Sequence, residues 1–209
     1  MRTGEPSECS ERGPADPYLT DSVEGFLDQL ADRTPAPGGG AAAALTCAMA
    51  ASLVEMAASF APGSGGERAG ARARELRHEA AALAHADGRA YGAVLEALRL
   101  PRGDERSRRL DESLSEAIAV PMRVLDAAAE VATLAAELAE TGNRNLEGDA
   151  LTGALLAEAA ARSAGTLARL NLSLLSKHVL ADAHLERLRP ALSTATRARE
   201  RAVGAFHRA

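Results

Sequence analysis

The sequence predicts an all-α protein, an antiparallel bundle of about six long helices. Composition is the first reason: 46% of the 209 residues are hydrophobic, yet aromatics are only 2%, with no Trp. Alanine, leucine and valine carry the apolar content. Small side chains let helices approach closely, and the shortage of aromatic and β-branched runs disfavours a sheet. Periodicity is the second reason. Apolar residues recur at spacings of three and four, and no stretch alternates with period two over strand length. The third is punctuation, because long periodic segments are separated by short loops rich in Pro and Gly.

Residues 1–19 hold Pro6, Pro14 and Pro17 and no periodic apolar pattern. They read as a disordered tail before a helical domain over 20–209. The first helix is predicted from about Asp21 to Asp32, with Val23, Phe26, Leu27 and Leu30 on one face. Thr20, Asp21 and Ser22 are all fitting N-caps, and Pro35 and Pro37 end the segment. The second runs from about Gly39 to Ala61 and stops at Pro62, followed by a flexible loop Gly63-Ser64-Gly65-Gly66. The third spans Glu67 to Leu98 and closes at Pro101 and Gly103. The fourth starts near Asp104 and ends near Glu140, before Gly142. It meets Pro121, which removes one i→i−4 bond, so it kinks there or breaks and restarts. Asp149 is the natural N-cap of the fifth, predicted to His178, and the sixth runs from Asp182 to about Phe206 through Pro190.

The formal net charge is −5. That disfavours a nucleic-acid partner, as does the lack of a basic stripe with stacking aromatics. Cys9 and Cys47 are too few for a disulfide scaffold or a zinc site. A reducing cytoplasm is expected, with no metal. Residues 1–17 lack the apolar core of a signal peptide. The run Ala41 to Val54, ending at Glu55, reads as too short to span a bilayer, so no membrane is expected.

Several places are candidates for chemistry. Gly38-Gly39-Gly40 opens an alanine-rich helix, although each Gly costs a helix interior roughly 1 kcal/mol against Ala. Either a backbone or ligand comes too close for a side chain, or bare N–H groups are wanted for an anion. Asp87 falls within the stripe Leu76, Ala80, Leu83, Tyr91, Val94 and Leu98, so its carboxylate points into the bundle. There it must find a partner, a proton or a ligand: it caps a helix, pairs with an Arg, or acts on a substrate. Asn171 lies on the face of Leu156, Ala160, Ala164, Leu167 and Leu174, where its amide bonds a partner helix or a polar ligand. Asn143 reads as a helix-terminal turn residue. His85, two residues before Asp87, faces elsewhere. Glu55 suits a rim salt bridge, and Met49 and Met56 read as core.

The order of motifs is more specific than any one of them. Thr34-Pro35-Ala36-Pro37-Gly38-Gly39-Gly40 leads a helix ending Leu53-Val54-Glu55-Met56, followed by Ala86-Asp87-Gly88-Arg89-Ala90-Tyr91 and Leu98-Arg99-Leu100-Pro101. Val120-Pro121, Gly142-Asn143, Asp149 and Leu170-Asn171-Leu172 complete the series. Over about Asp21 to Phe206 this resembles the cyclodeaminase/cyclohydrolase family, which includes the C-terminal domain of formiminotransferase-cyclodeaminase and bacterial methenyltetrahydrofolate cyclohydrolases. The resemblance implies a helical homodimer acting on a one-carbon tetrahydrofolate, without metal or separate cofactor. It implies Asp87 as the catalytic residue, and Gly38, Gly39, Gly40, Asn143, Asp149 and Asn171 as substrate-binding. Asp87 would pair with the cationic amidine and relay a proton. Asn171 would hold the pterin edge, and the glycine turn would hold a glutamate-tail carboxylate or allow close packing. Ala41 stands where the family usually has Ser, Leu167 where it has Asn, and Leu146 near the place of a Cys in the deaminases. The resemblance implies a methenyltetrahydrofolate cyclohydrolase or a formiminotetrahydrofolate cyclodeaminase; the departures weaken ammonia release in particular and leave a diverged cyclohydrolase or a member with another substrate. The alternative is a non-catalytic helical binding or assembly protein that keeps the fold.

Overall fold

A computed structural model describes residues 17–175 and 178–207, with backbone alone at 17 and 178–182. Among the described residues all regular structure is helical. The elements are α1 (Pro17–Thr20), α2 (Val23–Ala31), α3 (Gly39–Ser59), α4 (Gly63–Arg99), α5 (Asp104–Thr141), a 3₁₀ turn (Arg144–Leu146), α6 (Glu147–Leu172) and α7 (His178–Phe206). Five helices are therefore long and two are short, where the sequence predicted about six long ones.

Helix α3 lies at the centre, packed on α4, α5 and α6, while α7 covers α5 and α6. Alanine makes this possible. Ala41, Ala44, Ala50 and Ala51 of α3 are fully buried, as are Ala73, Ala80 and Ala84 of α4. Leu76, Leu83, Leu114, Ile118 and Leu125 are the largest side chains filling the space between them. Helix α3 has 21 residues, with a mean hydropathy of 1.6 over its most apolar 18-residue stretch, so it is long and apolar enough to cross a membrane, contrary to the shorter run read from the sequence. Its packing on three neighbouring helices is that of a core helix.

Several boundaries move for physical reasons. The glycine run after Pro62 is the first turn of α4 and not a loop. Gly66 packs against the end of α3 so closely that a Cβ there would sit 2.8 Å from the Ala61 carbonyl oxygen and 2.9 Å from that of Ala58. Pro121 neither breaks nor restarts α5, which is continuous from Asp104 to Thr141. Helix α6 begins at Glu147 with Leu146 as N-cap, so Asp149 is in its first turn and not at its cap. There it still favours the positive end of the helix dipole. Helix α6 also ends at Leu172, short of the predicted His178.

Helix α2 is capped as predicted by Ser22, whose hydroxyl accepts the Gly25 N–H at 2.9 Å. Its apolar face does not enter the core: Val23 and Leu27 are exposed. Residues 17–19, expected in the tail, belong to α1, and Tyr18 packs on Phe26 and His85. The rest of the expected tail, residues 1–16, lies outside the described residues. Met49 is 55% exposed and so is not core; it faces outward from α3.

Helices α6 and α7 are pinned by Glu158, the buried charged residue of the interior. Its carboxylate accepts from Arg199 Nε at 2.9 Å and Arg162 Nη2 at 3.0 Å. Burial pushes its pKa up, but the bonds from Arg199, Arg162 and Thr196 outweigh this and hold it below the usual carboxylate value. The pair therefore stabilises the fold above pH 4.5, and that contribution is lost as pH falls through the lowered folded value. Glu158→Ala strands the Arg199 charge and is expected to cost about 2–3 kcal/mol in urea unfolding at pH 7.

Candidate functional site

One end of the bundle brings together the start of α3, the middle of α4, the early part of α5 and the end of α6. Between them is a cavity of about 300 Å³ lined by Gly38, Gly39, Gly40, Asp87, Leu167 and Asn171, with Tyr91, Ala117 and the Pro35-Ala36 segment at its walls. The Ala36–Pro37 peptide, which leads into α3, is cis.

Asp87 is the centre of this site. Its carboxylate lies directly over Gly40, where any Cβ would overlap it. It accepts a hydrogen bond from the Ala41 backbone N–H. That N–H is one of the donors that a helix start leaves without an internal partner. What comes too close to Gly40 for a side chain is neither a backbone nor a ligand but the Asp87 side chain. The close approach is real, and the anion at the helix start is the chain's own Asp87. Burial raises the Asp87 pKa above its ordinary value, and the Ala41 N–H works against that rise. A carboxyl group so placed lies nearer to neutrality in its titration than a surface aspartate.

The three glycines are not equivalent. Gly40 must lack a side chain. At Gly39 a Cβ would meet only the Leu167 methyl groups at 3.9 Å, and at Gly38 it would meet nothing within 4 Å.

Asn171 faces the same cavity from the last turn of α6. Its Nδ2 donates to the Ala117 carbonyl oxygen of α5 at 2.6 Å. The amide therefore bonds a partner helix while lining the pocket. Tyr91, one turn after Asp87, is 44% exposed and stands at the pocket rim, outside the buried stripe in which the sequence placed it. Leu98 of that stripe is also exposed.

Two predicted site residues are elsewhere. Asn143 caps the 3₁₀ turn, its Oδ1 accepting from the Asn145 N–H at 3.0 Å. Asp149 lies about six turns before Asn171 along α6, roughly 33 Å away at 1.5 Å per residue. Within one chain neither reaches the Asp87 cavity. Glu55 is at the far end of α3, bonded to Arg74 Nε at 2.7 Å and Arg77 Nε at 2.9 Å, the predicted rim salt bridge.

Tyr18 was not foreseen. Its ring packs edge-on against His85, with centroids 5.6 Å apart, and a Cβ at Gly88 would sit 3.1 Å from its hydroxyl. It therefore braces the α4 turn that carries Asp87. Its only signal in the sequence is being one of two tyrosines in the chain. Cys47 is buried, and burial, with Glu79 adding, pushes its thiol up to about 12, so it keeps its proton near neutral pH and is no nucleophile. Among the described residues no three His, Cys, Asp or Glu side chains gather as a metal site.

The family model described as formiminotransferase-cyclodeaminase matches residues 22–189. The chain belongs to the formiminotransferase-cyclodeaminase family. A methenyltetrahydrofolate cyclohydrolase of Methylorubrum extorquens is 32% identical over 87% of this chain and 93% of its own length. The formimidoyltransferase-cyclodeaminase of Mus musculus is 35% identical over 64% of this chain, which spans only 27% of that longer relative. The solved structure of a formiminotetrahydrofolate cyclodeaminase from Thermotoga maritima superposes with a TM-score of 0.84 at 29% identity, covering 90% of this chain and 97% of the other. The members of the family matched here are thus folate cyclohydrolases and cyclodeaminases, and the all-α fold is common to this chain and the solved member.

Proposed function

We propose that the chain acts on the one-carbon unit held between N5 and N10 of tetrahydrofolate, with hydrolysis of the methenyl bridge as its first activity. The observation that carries this reading is Asp87: a half-buried carboxylate of raised pKa on the wall of a cavity, held over a bare helix start. A methenyl bridge is a cationic amidine. A carboxylate beside it stabilises the cation and takes a proton from the water that attacks the bridge carbon. As the carbon–nitrogen bond of the ring opens, the leaving nitrogen accepts a proton. Asn171 contacts the substrate from the opposite wall, and Gly38 and Gly39 leave room for it. Near full-length relatives include both a cyclohydrolase and a cyclodeaminase, so the preference for hydrolysis over ammonia release rests on the departures at Ala41, Leu146 and Leu167.

A homodimer is part of the same proposal. Helices α3 and α6 share an outward groove lined by Ala42, Thr46, Ala159, Ser163 and Thr166, with Arg162 the charged side chain at its wall. Met49 and Leu155, 55% and 46% exposed, project from the same two helices. Such a surface suits a second copy of the chain. Met49→Glu is expected to shift sedimentation from dimer to monomer; a monomeric wild type at micromolar concentration would contradict it. We place the enzyme in the cytoplasm, where reduced folates are processed.

The activity test is direct. Methenyltetrahydrofolate and formiminotetrahydrofolate are each added to the purified chain, and the methenyl absorbance is followed. Its loss above the buffer rate marks a cyclohydrolase, and its appearance from the formimino compound marks a cyclodeaminase. No change with either, and no tetrahydrofolate binding, would favour a non-catalytic binding protein.

A further inference from the structure

Pro121 is buried inside a continuous α5, with no helix end to account for it. Its nitrogen carries no hydrogen, so it cannot make the i→i−4 bond, and the acceptor that bond would have used is the Ala117 carbonyl. That carbonyl lies at the wall of the Asp87 cavity, and it is the group to which Asn171 Nδ2 donates at 2.6 Å. A buried carbonyl without a donor is costly, so the proline and the asparagine complement each other across two helices. The pairing also decides which way the amide is turned. A carbonyl only accepts, so the NH₂ group must face α5. The Asn171 carbonyl oxygen is then the acceptor left for the cavity.

We propose that Pro121 is a positioning residue: by leaving Ala117 without its helical donor, it locks the Asn171 amide with its oxygen toward the substrate, where it accepts an N–H. The substrate side of this statement rests on the folate reading above; the lock itself does not.

A double-mutant cycle of Pro121→Ala and Asn171→Ala tests both parts, read in Tm and in the Kd for tetrahydrofolate. Pro121→Ala supplies Ala117 with a backbone N–H. Asn171→Ala is then expected to lower Tm by roughly 2–4 °C in the wild-type background and by less than half of that beside Pro121→Ala. In Kd, either single change weakens tetrahydrofolate about 10-fold, and the double change is no worse than Asn171→Ala alone. Additive effects on Tm would overturn the lock. Coupled Tm with additive Kd would overturn the presentation of the amide to substrate. Coupled Tm in a wild type that binds no tetrahydrofolate would uphold the lock and overturn the folate reading instead.

Discussion

Asp87→Asn is expected to lower turnover of the methenyl substrate by about 10²–10⁴-fold while the protein stays folded. The amide keeps the shape of the side chain, and its oxygen can still accept the Ala41 N–H. What it loses is the charge that pairs with the amidine and the site that takes the proton. Stability should not fall with it. Burial raises the folded pKa of Asp87 above 3.8, so the native state holds this proton more tightly than the unfolded chain does. Whatever this group contributes to stability is greatest below the unfolded value and declines as pH rises through the folded one. At neutral pH the neutral Asn variant is therefore expected to unfold at the wild-type temperature or above it. In the wild type, kcat/KM should rise with pH through the raised Asp87 pKa, and that acid limb should be absent from the residual activity of Asp87→Asn. A variant that keeps full turnover would remove Asp87 from the chemistry.

Gly40→Ala is expected to cost about 10²-fold in turnover, for a reason of geometry alone. The new methyl group overlaps the Asp87 carboxylate, which must swing away from the Ala41 N–H. Helix propensity favours Ala by about 1 kcal/mol, which offsets the lost bond, so Tm should stay near the wild-type value. Gly39→Ala is the control. Its methyl group would make ordinary contact with Leu167 at 3.9 Å, so it should retain activity. Thermal melts and steady-state kinetics on the two variants separate a carboxylate displaced from its place from a general intolerance of alanine. Equal activities would show that the notch over Gly40 has no part in catalysis.

The all-helical fold was legible because alanine-rich segments with spacings of three and four have few other ways to bury themselves. Asp87 and Asn171 were legible for the same reason: each is a polar residue in phase with an apolar stripe. The glycine run was legible as a demand for closeness or for an anion, but sequence spacing does not say which partner arrives. The partner is Asp87, 47 residues beyond Gly40, and only the packing of α4 on α3 brings it there. The family resemblance alone assigns Asn143 and Asp149 to the site. The rise of α6 carries them to the other end of the bundle, a distance visible only once its length and direction are known. The coupling of Pro121 to Asn171 was hidden too, because the proline read as a local interruption and its consequence falls on a different helix.

A crystal structure of the full chain with methenyltetrahydrofolate or a stable analogue bound tests the central claim most directly. The account predicts the bridge carbon about 3–3.5 Å from a water or carboxylate oxygen at Asp87, with the Asn171 amide oxygen facing the ligand. A folate bound elsewhere, with the Asp87 cavity empty, would contradict it.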